Sequence, residues 1–138
     1  MFFSKTAEHS IRILIYFVAN EGGVFSAKTL HEALGIPYKY LTRLTTLLAK
    51  AGFLRSIKGR DGGFLLSKPA KEITLYEVVE AVEDTASYHS CVLGFKECDC
   101  ENPCFLHHGW VDLREDLLSF LTKTTLEANF KDGKYFKI

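Results

Sequence analysis

The apolar residues Ile11, Ile13, Leu14, Phe17 and Val18 recur at the spacing of one helix face. Ser4 stands where an N-cap belongs and Asn20-Glu21-Gly22-Gly23 breaks the pattern, which predicts a first helix over roughly residues 4 to 20. Ser26 then caps a short helix that turns Ala27, Leu30 and Leu34 inward, and Gly35-Ile36-Pro37 makes a tight turn into a third helix. At about 100° per residue, Leu41, Leu44, Leu47, Leu48 and Ala51 fall on one side of it. Tyr38, Lys39, Thr42, Arg43, Thr46 and Lys50 fall on the other, with Tyr40 nearer the apolar side. The second side presents hydroxyls and cations, the groups that contact phosphates and base edges when a helix lies in the major groove of DNA.

Gly52 ends that helix. Phe53-Leu54-Arg55-Ser56-Ile57 reads as a strand, Lys58-Gly59-Arg60-Asp61-Gly62-Gly63 as a turn, and Phe64-Leu65-Leu66 as the returning strand. The result is a glycine-rich hairpin with Lys58 and Arg60 at its tip, placed to enter a minor groove or clamp phosphates. Its glycines do not follow the GxxxxGK[ST] or GxGxxG patterns of nucleotide loops. Pro69 closes this unit, and Thr74-Leu75-Tyr76-Glu77 forms a capping box that starts a helix running to about Glu83. A loop too long for a mere connector follows. Trp110, Leu113, Leu117, Phe120, Leu121 and Thr124 then mark a long amphipathic helix ending near Glu127. A terminal helix this apolar needs a partner, either the first helix of its own chain or a second chain, and a dimer suits the paired half-sites that such DNA readers bind.

The predicted fold is mainly α with a small β-hairpin wing: a winged helix-turn-helix plus a long C-terminal dimerisation helix. Residues 1–70 form the DNA-binding domain. Residues 71–138 carry a linker helix, a cysteine-rich sensor loop at about 88–108 and the dimerisation helix at about 108–128.

Charge sharpens this picture. The formal net charge is zero, yet residues 1–70 hold ten Lys/Arg against four Asp/Glu, a surplus of six, and residues 71–138 hold seven against thirteen, a deficit of six. From Lys39 to Arg60 there are six basic residues and no acidic one, a local field suited to a polyanion. At 138 residues and 47% apolar content the chain can bury one ordinary core. Its start lacks a secretion signal and no apolar run is long enough to span a bilayer, so a cytoplasmic protein without membrane contact is expected.

Cys91, Cys98, Cys100 and Cys104 fall within fourteen residues, with His107 and His108 just beyond. In a chain without a secretion signal this clustering points to metal, cluster or redox chemistry rather than a disulfide scaffold. Thiolates suit iron–sulfur clusters, Zn²⁺ and Cu(I), and spacing alone does not choose among them. Four thiols flanked by Lys, Glu, Asp and Asn would make an odd hydrophobic core.

Several stretches together resemble the Rrf2 family of winged-helix regulators, which includes iron–sulfur-bearing and nitric-oxide-sensing members. They are Leu34-Gly35-Ile36-Pro37 with Tyr40-Leu41, then Leu48 to Leu54, Gly59 to Phe64, Glu77 to Glu83, and Cys91 to Trp110. The resemblance implies a homodimer on a partly palindromic double-stranded operator, with the third helix in the major groove and the wing in the minor groove. It carries DNA contacts onto Lys39, Tyr40, Thr42, Arg43 and Lys58, and cluster ligands onto Cys91, Cys98 and Cys104. The fourth ligand varies among relatives: His107 matches one kind, and Glu8, supplied by the first helix of the partner subunit, matches another. Cys100 departs from the three-cysteine pattern and is a spare ligand, a resolving thiol or a passenger.

The expected function is a transcriptional repressor, not an enzyme, whose operator affinity follows a [2Fe–2S] or [4Fe–4S] cluster that an aerobically prepared sample can lose. A thiol–disulfide switch or a structural zinc on the same loop is the alternative. A small cysteine-based oxidoreductase would leave the basic helix face unexplained and lacks a CxxC motif. A winged helix used only for protein contacts would show no salt-dependent affinity for DNA.

Overall fold

In the computed structural model, which describes residues 2–127, Ser4 accepts a hydrogen bond from the Ala7 amide at 3.1 Å and opens α1 (Lys5–Ala19). Ser26 does the same for α2 (Ala27–Leu34) through the Thr29 amide, and Gly35 ends that helix in the left-handed region at φ 66°. Pro37, with its fixed φ, leads into α3 (Tyr38–Lys50). Leu41, Leu44 and Leu48 are buried as predicted, whereas Ala51 lies just past the helix and is exposed. Thr45 is buried too, because its hydroxyl donates to the carbonyls of Leu41 and Thr42, both at 3.1 Å, and so carries no unmet polar group inward.

The hairpin pairs β1 (Leu54–Ile57) with β2 (Gly63–Leu66) antiparallel, Leu54 opposite Leu66 and Ile57 opposite Gly63. Phe25 adds a third rung: its N–H and carbonyl exchange 2.9 Å hydrogen bonds with Phe64, tying the segment before α2 to the wing. A Cβ at Gly63 would strike the Phe25 backbone, so glycine is needed there for close approach rather than for the turn.

The capping box is formed: Thr74 and Glu77 exchange hydrogen bonds at the start of α4 (Leu75–Val82). The last described helix, α5 (His107–Lys123), stops short of the predicted end near 127 to 128. Thr124 turns extended and the chain returns to the start of α4. The Leu75 amide donates to Thr124 at 2.9 Å, the Leu126 amide donates to Ile73 at 3.0 Å, and Thr74 bridges Thr125. Position 128 lies outside the described residues.

One buried cluster joins Ile13, Leu14 and Phe17 of α1, Leu30 of α2, Leu41 and Leu48 of α3, Phe53 and Leu54 with Ile73, Val78 and Leu126. The core therefore runs through both sequence segments, and Pro69 marks a change of element rather than a second core. A smaller cluster of Ala7, Val79 and Tyr88, with Leu117 and Leu118 against it, seats α5 beside α1 and α4. Beside that packed stripe α5 carries an uncovered one: Leu106, just before the helix, and Leu113 and Phe120, spaced by sevens, are 42%, 64% and 54% exposed. Among the described residues no helix is long and apolar enough to cross a membrane.

Candidate nucleic-acid interface and thiol cluster

The face of α3 away from the core carries Tyr38, Lys39, Arg43, Thr46 and Lys50, all exposed, with Thr42 half-buried. The Thr42 and Thr46 hydroxyls bond back to the carbonyls of Lys39 and Thr42 at 2.8 and 2.9 Å. Each keeps acceptor lone pairs for an outside donor. Lys58 and Arg60 are exposed at the hairpin tip. Among the described residues none of these cations is in an ion pair, the salt bridge present being Lys5 to Glu8 at 2.7 Å. A helix face and a wing tip, on elements that share one core, thus offer uncommitted positive charge.

Tyr40 is placed differently from its neighbours. It is half-buried, its hydroxyl 2.8 Å from Thr6 Oγ1 and its ring edge-on to His9, so it links α3 to the first turn of α1. This agrees with its place toward the apolar side of α3 in the helical periodicity. Burial and the adjacent Arg12 and Lys5 charges disfavour protonated His9 and hold its pKa below the usual value, against a smaller opposing pull from Glu8.

The cysteines lie on the segment between Tyr88 and α5. Cys91 is buried, Cys98 and Cys104 are half-buried, Cys100 is exposed, and all four are free thiols. Cys91 Sγ and Cys104 Sγ are in contact at 3.8 Å. His107, 3% exposed, stands between the other two, with Cys98 Sγ 3.7 Å from Nδ1 and Cys100 Sγ 3.6 Å from Nε2. Amide hydrogens of Leu93, then of Phe95 and Gly94, point at the Cys91 sulfur and together with Cys104 lower its pKa, against a smaller upward push from burial. The left-handed turn at Gly94, φ 79°, makes that amide array possible.

Two thiolates on one tetrahedral ion with bonds of about 2.3 Å stand about 3.8 Å apart, so the Cys91–Cys104 spacing suits a shared metal. The donor set, soft sulfur plus one buried imidazole, suits an iron–sulfur cluster in kind. Among the described residues, however, no group of three or more His, Cys, Asp or Glu side chains converges to hold a metal ion. Glu8, the other fourth-ligand candidate, is engaged with Lys5, which is the main reason its pKa is lowered.

Two residues missed in the sequence hold this segment. Arg114 donates to His89 carbonyl at 3.1 Å and to Cys98 Sγ at 3.6 Å, and Trp110 Nε1 donates to the Ser90 carbonyl at 2.9 Å. His107, Trp110 and Arg114 are three and seven residues apart, one stripe of α5, and that helical spacing was the available signal.

Comparison with known proteins gives a consistent picture. The family described as Rrf2, iron-dependent transcriptional regulator, matches residues 3–132. A provisionally named HTH-type transcriptional regulator of Aquifex aeolicus (strain VF5) is 30% identical over 142 residues, covering 100% of this chain and 99% of its own. The HTH-type transcriptional regulator IscR of Klebsiella pneumoniae (strain 342) is 36% identical over 107 residues, 78% of this chain and 65% of IscR, so this match spans under two thirds of IscR. The structure of CymR, the global cysteine regulator of B. subtilis, superposes with a TM-score of 0.76 over 96% of this chain and 99% of that one. At 24% identity that likeness speaks for the fold alone.

Proposed function

The chain belongs to the Rrf2 family of transcription regulators, and we propose that it is a dimeric, sequence-specific repressor whose operator affinity is set by an iron–sulfur cluster on the cysteine loop. Its relatives are transcription regulators, not enzymes. The observation that carries the DNA-binding reading is the uncommitted positive charge on α3 and the wing. In this reading Tyr38, Lys39, Thr42 and Arg43 meet the major groove, Lys58 and Arg60 meet the minor groove or its phosphates, and Tyr40 holds α3 at its angle through Thr6.

Cys91, Cys98 and Cys104 would hold the cluster, with His107 or Glu8 of the partner subunit as the fourth ligand. When bound, the cluster supplies a redox-active centre, which fits sensing of oxidants or nitric oxide. The protein's own part is to present three thiolates, keep the Cys91 sulfur under amide hydrogens, and seat His107 out of water. The uncovered stripe of Leu106, Leu113 and Phe120 is the proposed dimer seam, and a cytoplasmic location belongs to the same reading. The 3.8 Å thiol pair favours a structural zinc equally well, as a second reading. Anaerobic purification from iron-replete cells, with iron, sulfide and zinc analysis, separates them. Stoichiometric iron and sulfide with broad visible absorption is the expected result, and a colourless protein holding zinc or no metal overturns the cluster.

A further inference from the structure

Four cysteines offer six possible single disulfides, and sequence alone does not rank them. The structure does. Cys91 and Cys104 touch at 3.8 Å, while Cys98 and Cys100 stand against opposite ring nitrogens of His107, and Arg114 also holds Cys98. We propose that in the metal-free protein Cys91 and Cys104 form an intramolecular disulfide under peroxide, leaving Cys98 and Cys100 reduced. The assignment departs from the obvious one, in which exposed Cys100, the extra thiol, does the resolving.

The chemistry balances with hydrogen peroxide as oxidant. Half-buried Cys104 is the more accessible of the two. Its thiolate sulfur attacks one peroxide oxygen, the O–O bond breaks, and the other oxygen leaves with the available protons as water, giving a sulfenic acid. The Cys91 thiolate then attacks the Cys104 sulfur, the S–S bond forms and the S–O bond breaks, releasing a second water. Two thiols and one peroxide become one disulfide and two waters. The sulfurs must approach from 3.8 Å to about 2.05 Å. The intervening stretch, residues 92–103, lacks helix and strand, so a small backbone adjustment there breaks no regular hydrogen-bond ladder.

The reaction is independent of the proposed cluster, although it would lock two of the thiolates assigned to it. Chelator-treated, reduced full-length protein would be exposed to a modest excess of hydrogen peroxide, its remaining thiols counted, and its disulfides mapped by fragment mass spectrometry after digestion. Lys96 separates Cys91 from the other three cysteines, so trypsin yields one cross-linked peptide pair, and fragmentation names the partner. The expected result is a fall from four free thiols to two and a Cys91–Cys104 bond, retained in Cys100→Ser and Cys98→Ser and lost in Cys104→Ser. A bond from Cys91 to Cys98 or Cys100, a Cys98–Cys100 bond, disulfide-linked dimers, or oxidation with no disulfide would overturn the proposal. Thermal melting of each reduced variant guards against misfolding, and Cys104→Ala serves if the serine variant melts early. Iron loading of the untreated protein is measured separately, so loss of the cluster reading leaves this result standing.

Discussion

The family resemblance assigns Tyr40 a DNA contact, yet its hydroxyl is 2.8 Å from Thr6 on a neighbouring helix. Tyr40→Phe is therefore expected to cost about 0.5–1.5 kcal/mol of stability, seen in denaturant unfolding, with little change in phosphate-driven affinity. Its neighbours Lys39 and Arg43 are exposed and unpaired among the described residues. Alanine at either is expected to weaken operator binding by about 1–3 kcal/mol, whereas Lys58→Ala should weaken specific and random duplexes alike. A gel-shift titration at fixed salt checks all three, and wild-type affinity throughout would mean that another face reads DNA. At Tyr88, burial, and then the 2.7 Å hydrogen bond to Glu83 and that carboxylate's charge, push the phenol well above its ordinary pKa. Because the folded value is raised, this contribution is full below about pH 10, the unfolded value, and is lost as pH rises through the folded one. Alkaline spectrophotometric titration should find one of the six tyrosines resisting ionisation until unfolding, and Tyr88→Phe should remove that step.

At the level of elements, caps and apolar periodicity in the sequence carried most of the fold. Ser4, Ser26, Gly35 and the Thr74–Glu77 box each end or begin a helix where short-range chemistry predicts. What stayed hidden depends on contacts distant in sequence. The Phe25–Phe64 rung and the Thr74–Thr125 bridge join single residues across whole helices, and no periodic pattern marks them. The second of these explains why α5 ends at Lys123, since a helix continued through Thr125 and Leu126 could not reach Ile73. For the candidate site, the cysteines and His107 were legible as residue types, but the pairing of Cys91 with Cys104 and the stationing of Arg114 at Cys98 required three-dimensional proximity. Leu121 on α5 is fully buried, so Leu121→Ala should cost about 2–5 kcal/mol, measured by urea denaturation. Leu113→Glu on the neighbouring, exposed stripe should leave monomer stability nearly unchanged and shift the proposed dimer toward monomer in light scattering.

Across the whole molecule, the cysteine loop and α3 bear on the same turn of α1. Tyr88, three residues before Cys91, packs against Ala7 and stacks on Phe2 at 5.6 Å, while Thr6 of that turn bonds Tyr40 of α3. Arg114 and Trp110 fasten the loop to α5, which carries the proposed dimer seam. An ordered, ligated loop and an empty one would therefore bias both the seating of α3 and the spacing of two copies, which is the physical content of the proposed sensing. The basic half supplies affinity, so operator binding should fall steeply as salt rises. The most direct test is an anaerobic operator titration at one salt concentration, comparing cluster-loaded protein with the same preparation stripped by chelator. The account predicts different affinities for the two states; equal affinities would contradict control by the cluster while leaving DNA binding intact.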